Sequence, residues 1–175
     1  RLEKQYHYMI NHPDVDLLFS WTNHIDQDWK FKKTFTPSRD KVIHIKKWFF
    51  RSFLLVHPTL FCKKDILERN AYDNKFMRSQ DFELWLRLIW KYKFDIVEDI
   101  LLDYRVPNIE NLTERVNKIK KSTYWTLKAL HKNMWTYIFN LNFWMFYIKT
   151  WILYLIARTP KKLIKCLVKL KDKNE

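Results

Sequence analysis

Apolar residues near the start of the chain, Leu2, Tyr6, Met9 and Ile10, recur at helical spacing and run into His12-Pro13-Asp14. The pattern predicts a helix over 1–11 that stops there, because the position before a proline is pushed out of the α region. Residues 15–22 form a short apolar run between turn residues and read as a mostly buried strand. A helix leading into a buried strand is a step of α/β type. Residues 23–39 are polar, aromatic and basic and end on Pro37-Ser38-Arg39-Asp40, which predicts a loop or lid. Beyond them the pattern predicts a helix over 42–53 with Ile45, Trp48, Phe49 and Phe53 inward, a short strand over 59–63 and a helical turn over 65–70.

The clearest periodicity lies in 81–92. Phe82, Trp85, Leu86 and Ile89 fall at i, i+3, i+4 and i+7, with Tyr92 continuing the stripe, while Glu83, Arg87 and Lys91 share the other face at i, i+4 spacing. This predicts a helix with one face in the core and one in water. Strands over 94–97 and 100–104 follow, separated by the acidic Glu98-Asp99. After Pro107-Asn108 the composition changes. The organisation that results is a body over 1–107, a linker and helix over 108–132, and an aromatic, basic, helical tail over 133–175. Residues 134–156 are long enough to cross a bilayer, but Asn140, Asn142 and Lys149 interrupt them, so a single span and a surface-lying helix both stay open. Pro160 breaks the helix, and 161–171 alternate Leu163, Ile164, Leu167 and Val168 with lysines, the pattern of a basic interfacial helix.

Composition narrows the chemistry. A chain of 175 residues that is 47% hydrophobic and 30% charged can bury one core and carry an appendage, which excludes a disordered or fibrous protein. The chain has no glycine at all, so neither a P-loop nor a Gly-rich dinucleotide turn is possible. Phosphates of a bound nucleotide would need a metal, Lys and Arg, or residues outside the chain. Cys62 and Cys166 match no metal or redox spacing and read as reduced thiols in a cytosolic setting, Cys62 as a small core residue. No basic-then-apolar leader opens the sequence, so no secretory signal is expected in it. The net charge of +14 is concentrated in the last third, where thirteen Lys or Arg from Asn117 onward face only Asp172 and Glu175.

Among residues that could carry chemistry, Asp81 stands first. A carboxylate at the mouth of an apolar helix has low dielectric on one side and free N–H groups on the other, so the protein sets its basicity. That position suits a catalytic base, and it equally suits a first-turn acid that satisfies the helix end. His57 is a lone histidine, open to a core, surface or site reading. Trp85 reads as core and Arg87 as solvated or ion-paired. Asp14 and Asp16 have Asp-x-Asp spacing but read as the link between helix and strand rather than as metal ligands.

Taken in order, His57-Pro58-Thr59, Gln80-Asp81 before Leu84-Trp85-Leu86-Arg87, and Tyr104-Arg105 resemble the second half of an inverting glycosyltransferase of family 2. The resemblance implies an α/β fold in which 1–107 form the acceptor-side, C-terminal portion of a GT-A (Rossmann-like) domain. It makes Asp81 the base that deprotonates an acceptor hydroxyl, places His57 and Gln80 on the acceptor side, and gives Arg105 a hold on the donor diphosphate. Gln80 stands where the family usually has Glu, and Pro107 where it often has His. The implied partners are a nucleotide-sugar donor and a glycan or lipid-linked acceptor, in cell-surface polysaccharide synthesis. The family's Asp-x-Asp motif would lie upstream of Arg1. A divalent Mg or Mn ion is therefore expected only with that upstream half, and no metal site within this chain.

The tail fits a protein on the cytoplasmic face of the cell membrane, with Trp144, Trp151, Lys161, Lys162, Lys165 and Lys169 against an anionic surface. An alternative is a non-catalytic remnant or membrane-surface interaction protein, since the donor half is absent from the sequence. A nucleic-acid-binding module finds no recognised motif here, so nucleic acid is not an expected partner.

Overall fold

The computed structural model describes residues 1–52, 54–107 and 111–159. The chain divides into two compact units, Arg1–Asn108 and Ile109–Glu175. The first is a mixed sheet built on β1 (Leu17–Ile25). On one edge β4 (Phe94–Arg105) runs parallel to β1 over its full length. The other edge is shared by two antiparallel partners, β3 (Phe61–Cys62) against Leu17 and Leu18, and β2 (Phe31–Phe35) against Thr22 to Ile25. A strand flanked on both edges and covered on both faces has no need to alternate, and Leu17, Leu18 and Phe19 are all fully buried.

Leu17 and Phe19 face the main core with Val42, Ile45, Leu84, Trp85, Leu88, Phe94 and Ile96. Each such side chain contributes about 1.5–3 kcal/mol by leaving water. Leu18 points to the other face, where Val15 and Val97 are covered by Tyr8 and Met9 of α1 (Leu2–Asn11). Helices α2 (Arg39–Ile43), α3 (Ile45–Trp48), α4 (Lys64–Arg69) and α5 (Gln80–Leu88) complete the unit.

Several elements differ from the sequence expectation. The loop or lid over 23–39 is largely a hairpin: β1 continues to Ile25 and returns as β2. Four of the five β2 residues are exposed, so no alternation betrays the strand. Its turn is tied by Asp26, which accepts the Asp28 and Lys30 amides and pairs with Lys32. The helix over 42–53 starts earlier and breaks at His44 into α2 and α3; Phe53 lies outside the described residues. Of the strand expected over 59–63 only Phe61–Cys62 forms; His57–Thr59 is a 3-10 turn, because Pro58 fits the start of a helical turn and donates nothing to a ladder. The helix expected over 81–92 ends at Leu88. Glu98-Asp99 does not separate a pair of strands. Ser20 pairs with Val97 and Trp21 with Ile100, so the acids are the extra residues of a bulge inside one continuous strand.

In the second unit α6 (Leu112–Lys132) and α7 (Leu141–Arg158) are joined through a 3-10 turn at Met134–Tyr137. Asn111 and Asn140 cap the two helices by accepting the amides of Thr113 and Phe143. Tyr137 and Phe143 stack at 5.3 Å between ring centres in the buried interior of the unit. The apolar run over 134–156 is thus divided, and no described helix is long and apolar enough to cross a membrane.

Candidate active site

Asp81, Gln80, Ser79, Tyr72 and His57 line one cleft of about 350 Å³ in the first unit. His57 is placed by its turn. Thr59 Oγ1 donates to the Val56 carbonyl and receives the Ser20 amide of β1, while Gln5 and Arg1 of the N-terminal segment donate to the Thr59 and Pro58 carbonyls. Behind the imidazole stands the buried Trp85, 5.5 Å between ring centres. His57 Nε2 lies 3.1 Å from the Tyr72 hydroxyl, and its Nδ1 is enclosed without a hydrogen-bond partner among the described residues. Burial holds the His57 imidazole below its usual pKa, with the negative charge of Asp81 pulling the other way. Burial also raises the Tyr72 phenol, and Asp81 adds to the rise, so Tyr72 keeps its proton at neutral pH.

Asp81 reaches the cleft from the first turn of α5. Its Oδ1 accepts the Phe82 amide at 2.8 Å; among the described residues no hydrogen bond to Oδ2 is found. The helix starts sharply because Ser79 takes the left-handed conformation, φ 54°, a position glycine usually fills and which costs a non-glycine residue about 1–2 kcal/mol. In a chain without glycine, that cost accompanies the placing of Asp81. Gln80 is exposed at the rim, and its amide donates back to the Phe76 carbonyl, holding the loop before the helix.

Glu83 departs from the expected wet face. It is fully buried and takes the Arg87 guanidinium on both oxygens, at 3.0 and 3.1 Å. The same guanidinium donates to the Ala71 carbonyl at 2.9 Å, which anchors the loop that carries Tyr72. Sequence reasoning missed Tyr72 as a lining residue and Glu83–Arg87 as its brace. The i, i+4 spacing of the pair was visible, but the loop that covers it was not.

Of the other buried acids of the unit, Asp26 and Asp95, the second lies on β4 and is fully engaged. Arg39 holds both its oxygens at 2.9 and 2.8 Å, the Tyr8 hydroxyl donates at 2.8 Å and the Ile96 amide at 2.8 Å. Burial alone would raise this carboxyl, but Arg39 and the other donors outweigh it and hold it below the usual range. Tyr8 is pushed up to about 12 by burial and by Asp95.

Arg105 ends β4 outside the lining of the Asp81 cleft. Its guanidinium lies 4.2 Å from the centre of the Trp29 ring, on the β1–β2 turn where Trp29 has φ 64°. Asp14 and Asp16 are tied to Lys93, the first through its ammonium and the second through its amide. Both thus link the α1–β1 connection to the residue before β4, and the described residues hold no group of three or more His, Cys, Asp or Glu that could take a metal ion. In the second unit Trp144 donates to the Ile138 carbonyl at 2.8 Å, and Trp151 is exposed on α7 with its edge on Tyr154. Lys161, Lys162, Lys165 and Lys169, with Cys166, lie outside the described residues.

No family model matches the sequence. The chain is 45% identical, over 99% of its length, to an uncharacterized glycosyltransferase of Methanocaldococcus jannaschii, and spans 60% of that protein. Over 62% of its length it is 35% identical to the O-antigen biosynthesis glycosyltransferase WbnJ of Escherichia coli, of which it spans 42%. The first of these matches runs through the sheet unit and beyond, so the chain is similar over nearly its whole length to a protein named a glycosyltransferase.

Proposed function

We propose that residues 1–107 form the acceptor side of an inverting, family 2-like glycosyltransferase of GT-A type, with Asp81 as the base. The observation that carries this reading is Asp81 itself: a cleft carboxylate with one oxygen on its own helix end and the other free of protein donors among the described residues. Similarity to two proteins named glycosyltransferases supports it from outside the geometry. An acceptor hydroxyl in the cleft would give its proton to Asp81 as its oxygen bonds to the anomeric carbon of a nucleotide sugar. The bond from that carbon to the diphosphate breaks on the opposite face, the nucleoside diphosphate leaves with the bonding pair, and configuration inverts. His57 and Gln80 border the acceptor. Arg105 is the candidate cation for the diphosphate, although it first has to leave the face of Trp29. By analogy with the O-antigen relative, a lipid-linked or surface glycan is the acceptor class. The described residues hold no group of three or more His, Cys, Asp or Glu that could take a metal ion, and none of these steps is assigned to a metal held by them.

In the natural polypeptide, Asp81→Asn lowers kcat by about 10²–10⁴-fold while the donor KM stays put. Turnover within a few-fold of the parent would remove Asp81 from the base role. We also assign the second unit to an anionic membrane surface at the cytoplasmic face. On α7 Trp151, Ile152, Leu155 and Ile156 are exposed and Arg158 follows them. Neutralising Lys161, Lys162, Lys165 and Lys169 is expected to release the protein from phosphatidylglycerol vesicles, and binding that persists at the same level would refute the assignment.

A further inference from the structure

Within the cleft, the proton of one hydrogen bond can be placed. His57 Nε2 and the Tyr72 hydroxyl are 3.1 Å apart, and either can donate. If Tyr72 donates, the imidazole proton must sit on Nδ1, which is sealed from solvent and has no partner among the described residues. A buried N–H with nothing to donate to is among the rarest features of folded proteins and costs about 1–3 kcal/mol. If His57 donates from Nε2 instead, Nδ1 is left as a bare lone pair, and Nε2–H is also the intrinsically preferred neutral tautomer. The Tyr72 hydroxyl proton is then not used by His57 at all. It turns to the cleft that Tyr72 shares with Asp81, Ser79 and Gln80.

We propose that His57 donates its Nε2 proton to Tyr72 and that Tyr72 in turn donates its hydroxyl proton to the acceptor sugar, opposite the carboxylate that receives one. This rests on the transferase reading above and adds a specific donor to it. His57 is then a positioning residue, since it acts through the phenol, and Tyr72 is a substrate-binding residue. The cleft gains a polarity. One wall, Asp81, can only accept; the other, Tyr72, is left to donate, since its oxygen is already occupied by His57. A sugar hydroxyl, donor and acceptor at once, fits between them, whereas a carboxylate or phosphate in the same place would meet Asp81 as a like charge. A neutral hydroxyl-bearing sugar is therefore the moiety bound next to the base. The shifts of both groups agree with this arrangement: burial keeps His57 neutral, and burial with Asp81 keeps Tyr72 protonated.

The test has two readouts. Long-range ¹H–¹⁵N spectra of the 175-residue chain, with His57→Gln used to assign the resonances, are expected to show His57 protonated at Nε2 and bare at Nδ1. Protonation at Nδ1 would overturn the proposal without any assay of activity. In the natural polypeptide, Tyr72→Phe is expected to raise the acceptor KM about three- to tenfold, the loss of one hydrogen bond, with the donor KM unmoved. An unchanged acceptor KM, or an equal rise in both, would equally overturn it. Failure of the transferase reading is separate: it appears as no sugar transfer by the unsubstituted natural polypeptide, and leaves the histidine spectrum to be read on its own.

Discussion

Asp81 and Glu83 stand two residues apart in the first turn of α5, one lining an open cleft and the other with no exposed surface at all. Glu83 spends both oxygens on Arg87. Asp95, the acid buried on β4, is held by a guanidinium, a phenol and an amide. Among the described residues Asp81 takes only the amide of the next one. The contrast separates two uses of a carboxylate. A buried acid is stable only when its lone pairs are filled, and a filled acid cannot receive a proton from a substrate. An acid meant to act must be left short of partners, and that requires partial access to water and a backbone that holds it from behind. The strained Ser79 and the brace under the Tyr72 loop supply that hold in this protein.

The largest effect that would break the contrast lies on the framework side. Arg87→Leu takes the guanidinium from both oxygens of the fully buried Glu83 and frees the Ala71 carbonyl, and is expected to cost about 3–5 kcal/mol. Urea unfolding of the first unit measures it. Glu83→Leu with Arg87→Leu together should recover most of that loss, because no charge is left uncompensated. A single Arg87 variant as stable as the parent would mean that Glu83 is not held as described. By contrast, Asp81→Asn removes no filled hydrogen-bond set and should leave the unfolding midpoint near that of the parent while removing transfer.

How much of this was legible in the sequence follows from what each residue depends on. Leu17 to Phe19 and the stripe of α5 were readable because burial of a continuous run or a helical face is a local pattern. Trp85 as core followed from the same stripe. Residues 31–35 were not readable, since β2 is exposed and owes its existence to the ladder with β1. Glu83 was misplaced in water for a related reason: its cover is the chain around Ala71, distant in sequence and without periodicity. At the site, the motif order singled out His57, Gln80 and Asp81, which share the cleft. It also singled out Arg105, which does not line it. Tyr72 sits among turn-forming residues with no spacing to mark it, and only folding brings its hydroxyl to His57.

The smallest expected effect sharpens the contrast from the cleft side through pH. His57 is held below the usual imidazole range by burial, and His24 by burial and the nearby Lys33. The unfolded chain, with imidazoles near about 6.5, therefore takes up protons at a higher pH than the folded protein does. Stability from the neutral histidines is fully present above that value and is lost as pH falls from it toward the folded pKa values. Melting temperatures taken from about pH 8 to about pH 5 should hold level at first and then decline. Asp81 moderates the decline, since its charge is what favours the protonated His57. Asp81→Asn removes that charge, lowers the His57 pKa further and makes the acid-side fall steeper than in the parent. The Arg87 variant, whose lost contacts lie with the buried Glu83, should shift the curve down most at its alkaline end and make the acid decline shallower, because a buried carboxylate deprived of its guanidinium takes up a proton as pH falls. A steeper acid decline in Arg87→Leu than in Asp81→Asn would mean that the two acids of this helix turn are coupled, and that the division between framework and cleft does not hold.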